Sequence, residues 1–220
     1  MNLSLLTGSP LFAGCSEAEI KEMLTCLNAQ KKTYPKDTVI LHAGDTVRCI
    51  GLVCSGSVHI ENDDLWGNKS ILDCILPGQI FAETYACAGA PLMVSAITAT
   101  PCEVLFLNVG RMLHTCPNTC GCHARLIENL LAISARKNLT LSRRMFHTSA
   151  KSIRGRLISY LSWQAQQHGS CEFDIPFNRQ QLADYLGVDR SALSAEIGKM
   201  QRMGLLVASR SHFRLLQPLI

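Results

Sequence analysis

The spacing of hydrophobic positions changes along the chain, and each change marks a different kind of structure. Residues 17–30 predict a short amphipathic helix, since apolar residues from Ile20 to Leu27 recur at three- and four-residue intervals. Ser16 and Glu19 precede and open this stretch with the spacing of a capping box. The chain therefore begins with a helical segment.

From about residue 33 to residue 109 the pattern becomes one of short β-branched and apolar runs separated by glycines. Many short strands at near-regular spacing predict an antiparallel sandwich or barrel. The first domain is thus expected to be a β domain. The predicted strands are Val39–Leu41, Cys49–Cys54, Ser57–Ile60, Ser70–Ile75, Val94–Thr98 and Val104–Val109.

A long helical stretch is predicted at residues 118–147. A stripe with heptad spacing runs along it, and its members are Ile127, Leu131, Ser134, Asn138, Leu141 and Met145. A stripe this broad needs cover on more than one side of the helix. The β domain can cover one side, and we expect the same helix of a second subunit to cover the other. Packing within one chain is the alternative.

The last third of the chain has the pattern of a winged helix-turn-helix. A helix is predicted at residues 151–168 and a strand at Glu172–Phe177, after which Asn178 caps a further helix. Gly187 permits the positive φ of a tight turn, and a second helix follows at about residues 189–202. A final hairpin around residues 209–212 forms the wing.

Charge separates this last third from the rest. The 220 residues are 47% hydrophobic and 17% charged, which describes a globular protein. Residues 1–148 carry 12 Lys and Arg against 12 Asp and Glu, whereas residues 149–220 carry 9 against 5. The whole surplus of +4 lies where a polyanion would bind.

The sequence offers no sign of a membrane-spanning or exported chain. No apolar run approaches the roughly 18–20 residues needed to span a bilayer, and residues 1–4 do not begin a signal peptide. We expect a cytoplasmic protein without a membrane partner.

The whole chain resembles the CRP/FNR family of bacterial transcription regulators. The matching segments are Ala43–Asp45, Leu52–Val58, Leu76–Glu83, Cys102–Leu105 and residues 179–206. The resemblance implies an α+β fold in three parts. They are an effector domain at 1–117 with an N-terminal helix and an antiparallel β-roll similar to a jelly roll or cupin, a dimerisation helix at 118–147, and a winged helix-turn-helix DNA-binding domain at 148–220. It implies a homodimer that binds double-stranded DNA, with RNA polymerase as a further partner if the protein activates transcription.

The resemblance also suggests which residues contact DNA. Arg190 matches a family arginine that binds guanine, which suits a bidentate contact to O6 and N7. Ser191 stands where a Glu is common and Ala195 where a second Arg is found, so the operator should differ from the best-known consensus. Ser191 and Ser194 are expected to assist Arg190 in base recognition. Phosphate contacts are expected from Arg179, Gln180, Lys199 and Arg210.

The resemblance argues against cyclic AMP as the effector. Glu83 is present, but Ala82 replaces the preceding family Gly, and Leu92 and Met93 occupy the phosphate-binding positions. A buried phosphate without a cation is costly by several kcal/mol. A remaining pocket lined by Glu83, Tyr85, Leu92, Met93 and Val94 would prefer a more apolar molecule, of unknown identity.

The eleven cysteines offer a second route of regulation. Cys15 and Cys26 lack the close spacing of the cluster-binding cysteines in oxygen-sensing family members. A denser group at residues 114–123 includes Cys116, Cys120, Cys122 and His123. These soft ligands could hold zinc or an iron–sulfur cluster, or form a thiol redox switch. Because the spacing is not a standard ligand motif, ordinary structural thiols are the simpler interpretation.

Two other functions compete with DNA-dependent regulation. The helix-turn-helix could bind a protein, with the β-roll as a ligand-binding module. An enzyme using the cysteine group is disfavoured, because the sequence shows no phosphate loop and no nucleophile with a base and an orienting group.

Overall fold

The computed structural model describes residues 3–63, 69–113 and 121–216. Its contacts divide the chain into two compact units, residues 1–136 and 137–220. The boundary falls inside the long helix, so the three-part division expected from the sequence stays a prediction. Within the described residues, no helix is both long and apolar enough to cross a membrane.

The first unit begins with helical segments. These are α1 (Leu3–Thr7), a 3-10 turn (Pro10–Phe12) and α2 (Glu17–Cys26). The predicted capping box at the start of α2 is confirmed. The Ser16 hydroxyl oxygen accepts a hydrogen bond from the Glu19 amide, and Glu19 Oε2 accepts one from the Ser16 amide at 2.7 Å.

Antiparallel strands follow as predicted and form two four-stranded sheets in the described part of the chain. The sheet orders are β1-β8-β3-β6 and β2-β7-β4-β5. The strands are β1 (Gln30–Tyr34), β2 (Val39–Leu41), β3 (Cys49–Ser55), β4 (Val58–Asp63), β5 (Lys69–Ile75), β6 (Ile80–Phe81), β7 (Ser95–Thr98) and β8 (Cys102–Asn108). Helix α3 (Glu83–Ala88) lies between β6 and β7, and α4 (Val109–Leu113) follows β8.

Alternation along the strands separates two apolar cores. Ile50 and Leu52 of β3 face one core, which also holds residues of α2 and of the long helix such as Leu126. Val53 of the same strand faces the interior between the two sheets, together with Val104. The first sheet is therefore covered by helices on one face and by the second sheet on the other.

Helix α5 (Gly121–Thr148) is 28 residues long and matches the helix expected at 118–147. The second unit continues with α6 (Ile153–His168), β9 (Glu172–Asp174), α7 (Arg179–Leu186), α8 (Arg190–Arg202), β10 (Leu206–Ser209) and β11 (His212–Leu215). Strands β10, β11 and β9 form an antiparallel sheet in that order. The helix order and the hairpin confirm the winged helix-turn-helix arrangement.

Candidate nucleic-acid interface and effector sites

The turn between α7 and α8 is fixed by local rules and by one arginine. Asn178 and Gln181 form a capping box at the start of α7, as predicted. Gly187 ends that helix with φ 63°. The guanidinium of Arg156 donates to the carbonyls of Leu186 and Gly187 at 3.0 and 2.9 Å, which satisfies carbonyls left open at the helix end.

A third bond of Arg156 runs to the Ala150 carbonyl at 2.8 Å. Arg144, near the end of α5, donates to the carbonyls of Asp184 and Tyr185 at 3.0 and 3.1 Å. Two cations therefore lie at the negative end of the α7 dipole. Neither role was predicted from the sequence, because no local pattern of residues indicates a hydrogen bond between positions thirty to forty residues apart.

Helix α8 opens with Asp189 as its N-cap. The Asp189 carboxylate accepts hydrogen bonds from the Ser191 hydroxyl and from the Ala192 amide at 2.9 Å, and these bonds lower the pKa of Asp189. Ser191 is exposed, but its hydroxyl proton is committed to the cap. Its expected contact with a base would have to use the oxygen lone pairs or break this bond.

Arg190 occupies the first position of α8 and is exposed. A cation at a helix N-terminus opposes the helix dipole by about 0.3–1 kcal/mol. Folding alone therefore gives no reason for an arginine here. Ser194, one turn further, is also exposed. All three residues predicted to contact bases therefore occupy exposed positions of this helix.

The side chains predicted to contact phosphates differ in their exposure and in the bonds they already make within the chain. Arg179 is half-buried, lies with its guanidinium carbon 5.4 Å from the centroid of the Phe213 ring, and donates to the Arg210 carbonyl. Burial lowers the pKa of Arg179. Arg179 thus supports the wing turn, whereas the Arg210 side chain at that turn is exposed.

The other two phosphate candidates are exposed and carry local bonds. Gln180 Nε2 donates to Asp184 Oδ1 at 2.8 Å. Lys199 Nζ lies 4.0 Å from Glu196 Oε2, a weak exposed ion pair that a phosphate could replace.

A cluster of aromatic side chains lies around the last turn of α5, in the same unit as the helix-turn-helix. His147 is 1% exposed and is surrounded by Tyr160, Trp163 and Tyr185, with ring centroids 5.7–6.2 Å away. Its Nδ1 lies 3.0 Å from the Ser159 hydroxyl, and its Nε2 has no hydrogen-bond partner among the described residues. Burial, and then the charge of Arg143, lower the pKa of His147, while burial raises the pKa of Tyr160 to about 12.

The heptad stripe of α5 is largely exposed within one chain. Leu131, Leu141 and Met145 have exposed fractions of 69%, 66% and 69%. Leu126 and Leu130 face the first core, in agreement with the expectation that the β domain covers one side of this helix. An apolar row at heptad spacing is left uncovered within the chain.

The positions predicted for an effector pocket do not share one environment. Glu83 and Leu92 are buried, with exposed fractions of 4% and 5%. Tyr85 and Val94 are half-buried, and Met93 is 76% exposed. Met93 therefore contributes little to an enclosed pocket as the chain stands.

Ala82, immediately before Glu83, takes a left-handed conformation with φ 64°. Left-handed backbone costs an L-residue about 1–2 kcal/mol, and a glycine, which the resemblance implies at this position, avoids that cost.

Half of the predicted metal ligands can be located. Cys116 and Cys120 lie outside the described residues. Cys122 Sγ donates to Glu19 Oε1 at 3.2 Å, and His123 is 5% exposed. The residues that the structure describes contain no group of three or more His, Cys, Asp or Glu able to hold a metal ion. Zinc, a cluster and a redox switch therefore stay predictions.

Glu19 connects three features of the first unit. The Ser16 amide, the Cys122 thiol and the Ser16 hydroxyl donate to it and lower its pKa to about 2, and Arg125 adds an ion pair at 3.3 Å. In the structure, Cys122 therefore has a structural partner.

Comparisons with known proteins agree with this order of parts. Residues 31–118 match the cyclic nucleotide-binding domain family, and residues 155–218 match the Crp-like helix-turn-helix domain family. The chain is 30% identical over 102 residues to the Cyclic AMP receptor protein of Thermus thermophilus, an alignment that covers 46% of each chain. It is 24% identical over 181 residues to the Anaerobic regulatory protein of Pasteurella multocida, covering 80% of this chain and 65% of that protein.

These alignments thus span about half and about two thirds of the length of the two relatives. The solved structure of the Catabolite Activator Protein of Thermus thermophilus has the same fold, with a TM-score of 0.53, 22% identity, and coverage of 96% of this chain and 95% of that one. A nucleotide-binding-type β-roll followed by a Crp-like helix-turn-helix defines one group of proteins. The chain belongs to the CRP/FNR family, whose members are DNA-binding transcription regulators and not enzymes.

Proposed function

We propose that the protein binds double-stranded DNA as a homodimer and recognises its operator through Arg190 in the major groove. The observation that carries this proposal is the exposed Arg190 at the first position of α8. Its charge is unfavourable to the helix and favourable to a guanine edge, so its position is understandable only through a ligand.

The distribution of charge supports the same partner. Residues 149–220 hold the whole positive surplus of the chain. Lys199 and Arg210 are exposed in the second unit, in α8 and at the wing turn, where phosphates on either side of a groove could be contacted. Such contacts predict a steep fall of affinity with salt.

The experiment compares two arginines of one helix. The target duplex is first selected from random oligonucleotides with the native protein, and affinity is then measured by fluorescence anisotropy. Arg190→Ala should weaken binding by about 5- to 150-fold, the range of one bidentate base contact at 1–3 kcal/mol. Arg202→Ala, an equal charge loss at the exposed far end of α8, is the control and should change affinity by less than about threefold.

Equal losses in the two variants would contradict recognition through the start of α8. A native protein that selects no duplex from the random pool would favour a helix-turn-helix that binds protein.

The homodimer is proposed from the uncovered stripe of α5. Leu141→Asp places a charge in this stripe, and Leu139→Asp places the same charge on a different side of the same helix at a similar exposed fraction, 62% against 66%. Sedimentation should show a monomer for Leu141→Asp and a dimer for Leu139→Asp. A dimer in both variants would rule out the stripe as the contact.

We further propose that the effector is not cyclic AMP. Leu92 is buried and Met93 is apolar at the positions where a phosphate would need a cation, and Ala82 holds a turn that favours Gly. Relatives of both kinds exist, since one is named for cyclic AMP and another for anaerobic regulation. Titration calorimetry with cyclic AMP should give no heat of binding, and micromolar binding would refute this part alone.

The remaining expectations follow from a DNA partner. A regulator of chromosomal genes works in the cytoplasm, and an activator would also contact RNA polymerase.

Control by the cysteine group is tested by replacing Cys116, Cys120 and Cys122 with serine and by a metal assay. Unchanged regulation and metal content would remove it.

A further inference from the structure

A cleft of about 250 Å³ opens at one side of the β-roll, away from the segment around Glu83. It lies where the edge strands β1 and β2 of the two sheets face each other. Its walls come from β1, β2, β3, β8 and the loop before β3. None of its lining residues belongs to residues 82–94, where the effector pocket was expected.

The interior of the roll is filled at the opposite side. There the ring of Phe81 covers Gly51 so closely that a Cβ on that glycine would lie 2.3 Å from the ring. Val53 and Val104 complete this packed region. Toward β1 the interior-facing residues become Lys32 and Tyr34, whose polar ends belong at a solvent boundary, so the roll stays open at this side.

The chemistry of the cleft is positive and apolar. Lys32 Nζ lies 5.6 Å from the centroid of the Phe106 ring, and Arg48 lines the cleft from the loop before β3. Ile40 and Leu41 supply aliphatic wall, and the lining contains no Asp or Glu. Two cations without a carboxylate attract an anion, while the ring of Phe106 and the aliphatic side chains accept an apolar body.

Neighbouring charges do not cancel this preference. Lys31 and Lys32 are adjacent on β1, so their side chains lie on opposite faces of the sheet. Lys31 is paired with Glu103 at 2.8 Å on the outer face. This ion pair uses the other lysine, so it leaves the cleft positive.

We infer that this cleft is a binding site for a small organic carboxylate with a flat apolar body, its carboxylate held by Lys32 and Arg48 and its body against Phe106 and Ile40. At about 250 Å³ the cleft is slightly smaller than the pockets of drug-sized ligands, which begin at about 300 Å³. A single-ring carboxylate fits that size better than a nucleotide does. The inference stands apart from the proposed DNA binding, and either can fail alone.

The first experiment measures benzoate binding to the full-length protein by calorimetry at low salt, with benzamide as the uncharged analogue. Benzoate should bind with millimolar or better affinity and benzamide more weakly. Lys32→Met should weaken benzoate binding about tenfold, since it removes a charge-assisted contact and keeps the aliphatic stem. Lys31→Met removes the same charge from the same strand and should change affinity by less than about twofold.

A second measurement locates the ligand. Cys49 lines the cleft, whereas Cys171 is exposed in the second unit. Saturating benzoate should slow alkylation of Cys49 by N-ethylmaleimide, followed by peptide mass spectrometry, and leave Cys171 unchanged. Should Lys32→Met fold poorly, Arg48→Met is expected to produce the same loss.

Three results would overturn the inference. They are no benzoate binding at millimolar concentration, equal losses in Lys31→Met and Lys32→Met, or binding that leaves the alkylation of Cys49 unchanged.

Discussion

Replacing Arg156 by Ala should destabilise the second unit more than the same replacement of any exposed arginine in that unit. The guanidinium donates three hydrogen bonds, two of them to the carbonyls that end α7 and one to Ala150. It is half-buried, so water replaces these bonds only in part. The variant leaves carbonyls of the turn before α8 without their donor.

The expected loss follows from the number and burial of these bonds. A hydrogen bond from a charged donor contributes about 1.5–3 kcal/mol, and bonds made by one group add less than fully. We therefore expect Arg156→Ala to lower the free energy of unfolding by about 2–4 kcal/mol. Arg144→Ala removes two bonds to the same helix end from an exposed side chain and should cost about 0.5–1 kcal/mol.

Urea unfolding of the full chain tests this, followed by tryptophan fluorescence in a Trp66→Phe background. Trp163, in α6, is then the one tryptophan left and reports on the second unit. Arg156→Lys should recover only part of the loss, because an ammonium cannot span three carbonyls. Equal costs for Arg144→Ala and Arg156→Ala, or a cost below about 1 kcal/mol for Arg156→Ala, would refute the assignment of Arg156 as the support of the turn.

Three further outcomes are expected. Gly56→Ala should cost about 2–5 kcal/mol in thermal or urea unfolding, because its φ is 76° and a Cβ would lie 2.3 Å from the Pro101 carbonyl oxygen. Gly89→Ala, at φ 65° in open space, should cost only about 1–2 kcal/mol, and equal costs would exclude the clash. Glu19 has a folded-state pKa of about 2 against an ordinary 4.5, so its contribution is complete above pH 4.5 and is lost as the pH falls towards 2. Glu19→Gln should make the melting temperature of the first unit depend less steeply on pH over that range. An unchanged slope would contradict the role of this carboxylate. His147 has a lowered pKa, so its neutral form stabilises the fold above about pH 6.5 and this contribution is lost as the pH falls through the lowered value. His147→Phe should remove that part of the acid dependence, and the same slope in both proteins would count against it.

Features set by neighbouring residues were predictable from the sequence. The capping boxes at Ser16 and Asn178 and the turn at Gly187 depend on residues within four positions, and the structure confirms all three. The strands with β-branched runs were also found, with ends shifted by at most three residues. Local rules suffice where the bond partners are local.

Two strands without a recognisable hydrophobic periodicity were missed. Strand β1 is mostly polar, with Lys31, Lys32 and Thr33 at its centre, because it is an edge strand with exposed side chains. Strand β6 has only two residues and is held by pairing with β3. No periodicity in a window of the sequence can show either.

The helices of the helix-turn-helix were predicted from the sequence more accurately than the contacts of their side chains. Arg190 and Ser194 are exposed in α8 as expected, which local helix geometry dictates. The roles of Arg179, against Phe213, and of Ser191, bonded to Asp189, depend on packing and rotamer choice. Sequence spacing contains neither.

Three exposed thiols in the described part of the chain have a consequence for any study of assembly. Cys74, Cys87 and Cys171 are accessible and not in disulfides. In air, thiols on separate molecules can couple through sulfur, and the products would have the mass of a dimer without any contact between helices. Pairing through α5 should persist in excess reductant and dissociate on dilution, whereas the oxidised species should do the reverse.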